Sequence, residues 1–115
     1  MAKNTPENKV KQRVKKILDD YIKDGEPVTY FSVMPTPYTT RGVSDFVVVV
    51  NGRILCLEIK AQGKKPTDAQ KYFGERVQEA NGIYLVVAGS SDEALRSVDR
   101  RVDIMLAMDK PRHPL

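Results

Sequence analysis

Hydrophobic residues follow a helical period in the first segment of the chain. The apolar stripe of this segment consists of Val10, Val14, Ile17, Leu18, Tyr21 and Ile22. These positions share one face of a helix with about 3.6 residues per turn. Thr5 as N-cap and Pro6 in the first turn predict where the helix begins, and Asp24-Gly25 predicts where it ends.

Three strands are predicted next, and a tight turn joins two of them. Val28 to Met34 is rich in β-branched and aromatic residues, and Pro35 ends it. The apolar runs 45–50 and 53–60 flank Asn51-Gly52. This dipeptide favours a type I′ turn, because both central residues of that turn need positive φ. The two runs therefore predict a β-hairpin.

The rest of the chain predicts a helix, a strand and another helix. Thr67 caps the second helix, which ends at Asn81-Gly82 and has an apolar face of Ala69, Phe73, Val77 and Ala80. The strand Ile83 to Val87 is wholly apolar, as expected for burial on both faces. Ser91 begins the third helix, whose apolar positions are Leu95, Val98, Val102, Met105 and Leu106.

The order α-β-β-β-α-β-α predicts an α/β fold with a mixed sheet flanked by helices. We expect one domain over residues 1–115, with its core at about 6–107 and a C-terminal tail at 108–115 that is frayed. His113 lies alone in this tail and is assigned no function.

Composition limits the cellular compartments and the kinds of binding partner that are expected. No apolar run is long enough for a membrane span, and the N-terminus lacks a signal-peptide pattern, so we expect neither membrane insertion nor secretion. The single cysteine, Cys56, is expected in the core, and its lack of a partner favours a reducing cytoplasm. The net charge of +4 permits binding to a polyanion but does not require it.

Two acidic residues and a lysine are predicted to converge at one end of the hairpin. In a two-residue hairpin Asp45 lies opposite Glu58, and Lys60 emerges on the same face. Opposed carboxylates repel unless a cation lies between them, and Mg²⁺ prefers such oxygen ligands. The alternative is a solvated face with an ordinary salt bridge. It is disfavoured because both hairpin faces are apolar, which indicates a central hairpin.

Other polar residues can be explained by local structure, although some of them could also contribute to a site. Glu7 continues the apolar stripe towards the sheet, but a first-turn acid that stabilises the helix dipole is the simpler interpretation. Gln70 completes a capping box with Thr67.

Lys9, Arg13 and Lys16 share one helical face and could contact phosphates or equally form solvated surface. Lys64 and Lys65 directly follow the site and are better phosphate candidates, although they could also be ordinary loop residues, and Arg41 could contact phosphates from the loop before Asp45.

Together these residues resemble the PD-(D/E)XK nuclease superfamily. The matching features are Gly42-Val43-Ser44-Asp45, then Glu58-Ile59-Lys60 after a hairpin, with Gln70 and Glu7 on the flanking helices. Within the superfamily, the chain is most similar to the stand-alone virus-type replication-repair nuclease (VRR-NUC) domains, over about Pro6 to Val87. Ser44 stands where the family usually has proline.

The resemblance implies a restriction-endonuclease-like core and a catalytic set of Glu7, Asp45, Glu58, Lys60 and Gln70. Asp45, Glu58 and the main-chain carbonyl of Ile59 would bind Mg²⁺, for which Mn²⁺ could substitute. Lys60 would position or activate the attacking water, Glu7 would be an outer ligand or hold a metal-bound water, and Gln70 would orient the site.

The family further implies a Mg²⁺-dependent DNA endonuclease that cuts branched or four-way junction DNA as a homodimer, in a bacterial or phage-infected cell. The third helix is the candidate interface, because residues 104–108 form an apolar run broader than one core-facing stripe; a buried final helix explains that run equally well. The alternatives are a non-catalytic nucleic-acid-binding module and a nicking nuclease without junction preference.

Overall fold

The computed structural model describes residues 5–112, so His113 and the end of the predicted tail lie outside the described part. The elements are α1 (Pro6–Lys23), β1 (Val28–Ser32), β2 (Phe46–Val50), β3 (Arg53–Lys60), α2 (Asp68–Glu79), β4 (Ile83–Ala88) and α3 (Asp92–Ala107). This order and the mixed sheet flanked by helices confirm the predicted α/β arrangement.

The sheet has the order β1-β2-β3-β4, with antiparallel β1/β2 and β2/β3 pairs and a parallel β3/β4 pair. Asn51 and Gly52 have φ of 51° and 84°, the left-handed values that the predicted turn requires. Val50 lies opposite Arg53 and Phe46 opposite Leu57, so the predicted hairpin register is confirmed.

The helices lie on opposite faces of the sheet. The core face buries side chains of α1 and α3 against the strands; the buried helix residues are Val10, Val14, Leu18, Val98, Val102 and Met105. On the other face α2 packs closely, because Gly74 leaves room for the Tyr84 ring: a Cβ at Gly74 would lie 2.7 Å from that ring. Cys56, Glu58 and Lys60 alternate with the core residues of β3 and therefore face the α2 side.

Asn51 also joins the hairpin turn to the end of α3. It is buried, and its amide nitrogen donates to the carbonyls of Met105 at 3.1 Å and Met108 at 2.7 Å. These bonds satisfy acceptors that the last turn of a helix leaves without intrahelical partners.

Several sequence predictions differ from the structure in detail. β1 ends at Ser32 rather than at Met34. β4 is an edge strand, and only Val87 within it is buried, so the predicted burial on both faces is wrong. Ile22 is 41% exposed because it lies about 120° around the helix from Val10, at the margin of the stripe. Ala80, predicted on the apolar face of α2, follows the helix and is exposed.

Across residues 5–112, no helix is both long enough and apolar enough to cross a bilayer.

Candidate active site

Asp45 and Glu58 lie side by side at the end of the β2-β3 hairpin. Asp45 directly precedes β2, and one further step along the observed register places it opposite Glu58. The Asp45 Oδ2 atom accepts a hydrogen bond of 2.7 Å from the Ile59 main-chain N–H. The carboxylate is thereby fixed against the neighbouring strand.

Glu58 is a buried acid, with only 2% of its surface exposed. Its Oε2 atom accepts a 3.0 Å hydrogen bond from Gln70 Nε2 and lies 3.8 Å from Lys60 Nζ. Its Oε1 atom is buried and has no hydrogen-bond partner. A buried polar atom without a partner is costly, so a cation or a proton at this oxygen would be stabilising.

The surroundings of Glu58 favour its neutral form in the absence of metal. Burial is the largest cause and the adjacent Asp45 carboxylate the next; together they raise the pKa of Glu58 to about 8 from an ordinary 4.5, although Lys60 acts in the opposite direction. Two close acids that resist joint ionisation form a site that a divalent cation would stabilise.

Lys60 is held beside Glu58 rather than in solvent. It ends β3 two residues after Glu58, and its side chain is 13% exposed. Its main-chain carbonyl accepts a 2.9 Å hydrogen bond from the Gly89 N–H, which ties this end of β3 to the segment after β4.

Gln70 forms the predicted capping box and also contacts Glu58. Its side-chain oxygen accepts from the Thr67 N–H at 2.8 Å, and its N–H donates to Thr67 Oγ1 at 3.2 Å, which completes the capping box. Its Nε2 atom still reaches Glu58. The helix cap therefore also positions an amide donor on the buried acid.

Glu7 reaches the site through a lysine that the sequence analysis missed. Lys11 Nζ lies 3.2 Å from Asp45 Oδ1 and 3.5 Å from Glu7 Oε2. Burial lowers the pKa of Lys11, but the Asp45 and Glu7 carboxylates outweigh burial and leave that pKa raised. The i, i+4 spacing of Glu7 and Lys11 was visible in the sequence; the contact with Asp45 depends on how α1 packs against the sheet.

An open pocket of about 370 Å³ adjoins these residues. Its walls are α1, the loop 33–44 and the first turn of α2, and its lining includes Glu7, Lys11, Arg41, Asp45 and Gln70. The pocket therefore connects solvent to Asp45, whereas the buried Glu58 lies behind its lining.

Ser44 takes the position at which the resembled family usually has proline. It is buried, and its hydroxyl donates to the Phe46 carbonyl at 3.2 Å. This local bond constrains the chain just before β2, so the side chain of Ser44 helps to fix the position of Asp45.

The six basic candidates are all exposed but lie in different places. Arg41 lines the pocket, and Lys9 lies near Gln62 and Gly89, beside the Lys60 end of the sheet. Lys64 and Lys65 belong to the loop after β3. Arg13 and Lys16 lie further along α1, near α3, where Lys16 pairs with Asp20 at 3.5 Å.

The donor set fits a divalent metal with few protein ligands. Among residues 5–112, no group of three or more His, Cys, Asp or Glu side chains is arranged to hold an ion. Mg²⁺ commonly uses only one or two carboxylates and completes its shell with water and substrate phosphate. Asp45 together with the unpartnered Glu58 Oε1 meets that requirement; the role of the Ile59 carbonyl stays a prediction.

The sequence matches no protein-family model, and the comparison with curated proteins gave no match.

Proposed function

We propose that the protein is a Mg²⁺-dependent DNA endonuclease of the PD-(D/E)XK type, related to the VRR-NUC domains. The observation that carries this proposal is the convergence of Asp45, Glu58 and Lys60 at the hairpin end, with Glu58 buried and one of its oxygens unpartnered. A buried carboxyl oxygen without a partner is unfavourable, and a divalent ion would give it one.

Each residue has a defined task in this proposal. Asp45, Glu58 and the Ile59 carbonyl would hold Mg²⁺, which when bound stabilises negative charge on the phosphate and lowers the pKa of water. Lys60 Nζ would donate hydrogen bonds to the attacking water or to a phosphate oxygen. Gln70 Nε2 holds Glu58 Oε2 in place, so that Oε1 keeps its orientation.

Exposed basic residues around the site would contact the DNA backbone. Arg41 and Lys9 flank the carboxylates, and Lys64 and Lys65 follow β3 directly. Arg13 and Lys16 would extend this surface along α1. Such contacts supply affinity that falls as salt concentration rises.

The proposed substrate is branched or four-way junction DNA, and the proposed assembly is a two-fold homodimer in the cytoplasm. Two symmetric cuts need two copies of a single-site domain. Met105 is buried in the core of the chain, whereas Ile104 and Met108 are exposed and remain available to a partner. Sedimentation that gives only a 13.0 kDa species at micromolar concentration, with or without junction DNA, would contradict the dimer and favour a nicking enzyme.

A non-catalytic DNA-binding module is the alternative. Two acids at the point where a phosphate must approach would weaken binding unless a metal neutralises them, so the Asp45-Glu58 pair favours the nuclease.

The substitution Lys60→Ala tests the proposal by separating binding from cleavage. Since Lys60 would act mainly on the reacting groups, we expect cleavage of junction DNA to fall by at least about 100-fold while the Kd changes by less than about threefold. Lys23→Ala, at the exposed end of α1, is the matched control and should cleave as wild type does.

Measurement of single-turnover cleavage and of binding in Ca²⁺ gives both quantities for each variant. Equal losses of binding and cleavage in Lys60→Ala would make Lys60 a phosphate anchor and would favour the binding module.

A further inference from the structure

Lys11 forms an ion pair with the Asp45 oxygen that is not hydrogen-bonded to the main chain. Oδ2 of Asp45 is bound by the Ile59 N–H at 2.7 Å, within the pairing of β2 and β3. Oδ1 is the atom that Lys11 contacts, at 3.2 Å. Both oxygens of Asp45 therefore lie beside nitrogen donors in the metal-free protein.

Lys11 is held in this position from two sides. Glu7, one turn earlier on α1, contributes a second carboxylate at 3.5 Å. The Lys11 side chain is 32% exposed, and its ammonium lies within ion-pair distance of both carboxylates.

We propose that Lys11 is a tethered cation that neutralises Asp45 in the metal-free protein and competes with the divalent metal for this carboxylate. The inference rests on the proposed function and adds control of metal loading to it. For a metal to use Oδ1, the Lys11 ammonium must move away, and the neighbouring pocket gives it space to do so. A lysine released there can contact a phosphate of the substrate.

Electrostatics gives the size of the expected effect. A divalent ion and an ammonium about 6 Å apart in a water-like medium repel by roughly 1.4 kcal/mol, which corresponds to about tenfold in affinity. Replacement of Lys11 by methionine keeps much of the side-chain volume and removes this repulsion.

The test is calorimetric titration of the full chain with Mn²⁺, without DNA. We expect Lys11→Met to bind Mn²⁺ about tenfold more tightly than wild type and to show a larger rise in Tm on Mn²⁺ addition, because its metal-free form has lost a neutralising charge. Lys15→Met removes the same charge from an exposed position one turn along α1, and should change Mn²⁺ affinity less than about twofold.

The outcomes separate this inference from the proposed function. Suppose that wild type binds Mn²⁺ and that Asp45→Asn abolishes this binding. If Lys11→Met then leaves the Mn²⁺ affinity unchanged or weaker, Lys11 does not compete with the metal, but the metal site itself is supported. If Lys11→Met and Lys15→Met tighten binding equally, the effect is one of general charge and the specific role of Lys11 is overturned. If neither wild type nor any variant binds Mn²⁺ at millimolar concentration, the proposed function fails as well.

Discussion

Replacement of the buried Glu58 carboxyl by an amide should change how the stability of the metal-free protein depends on pH. In the folded chain, burial and the Asp45 charge raise the pKa of Glu58 to about 8 from 4.5. The folded state therefore binds a proton between these values that the unfolded state has already lost. Stability falls as pH rises across this window, since it decreases wherever the folded state binds more protons.

The magnitude follows from the width of the window. Each pKa unit corresponds to about 1.4 kcal/mol, so the wild type should lose a few kcal/mol from this group, at most about 5, between pH 4.5 and pH 8. The amide introduced by Glu58→Gln cannot ionise, and its oxygen can accept from Gln70 as the carboxyl does. The advantage of Glu58→Gln over wild type should therefore grow with pH and level off above about pH 8.

Urea denaturation in chelator at half-unit pH steps measures this difference. Glu75→Gln, at an exposed position on α2, is the control and should follow the wild-type curve. A constant difference between Glu58→Gln and wild type across the window would show that Glu58 does not have a raised pKa in the folded protein. Uniform destabilisation by more than about 2 kcal/mol would instead show that Glu58 is mainly a structural partner of Lys60.

Two further predictions concern residues that hold the site in place. Asn51→Ala should cost about 2 to 3 kcal/mol of unfolding free energy, because it removes one buried and one partly buried hydrogen bond at a residue with positive φ. Asn81→Ala, exposed at φ 66°, should cost only about 1 kcal/mol, and equal losses would contradict the capping role. Gly42→Ala should reduce cleavage at least about tenfold, since a Cβ there would collide with the Ala69 carbonyl and displace the loop before β2. Gly63 has a similar φ, but a Cβ there would meet no atom of the described residues within 4 Å, so Gly63→Ala is the control for backbone strain alone. Equal losses of unfolding free energy in Gly42→Ala and Gly63→Ala would contradict the clash.

Local signals predicted the part of the site that the hairpin carries. A two-residue Asn-Gly turn fixes the pairing of its strands, so the register that brings Asp45 opposite Glu58 followed from the sequence. The capping box at Thr67 is likewise local. The order of helices and strands was predictable for the same reason, because it depends on the spacing of hydrophobic residues and on the turn residues between elements.

Features that depend on packing between distant elements could not be predicted in this way. The contact of Lys11 with Asp45 requires a particular placement of α1 on the sheet, and the bond from Gln70 to Glu58 requires the same of α2. β4 lies at the sheet edge because, among the described strands, it pairs with β3 only, and this pairing is not visible in its sequence. Its apolar residues alone therefore suggested more burial than the strand has.

Metal-dependent nuclease activity is tested by incubating the purified full chain with linear duplex, single-stranded, flap and four-way junction DNA, with Mg²⁺, with Mn²⁺ and with chelator. We expect metal-dependent cuts, most rapid on branched DNA, that disappear in Asp45→Asn and in Glu58→Gln. Absence of cleavage on every substrate in both metals, or cleavage that persists in Asp45→Asn, would contradict the proposed function.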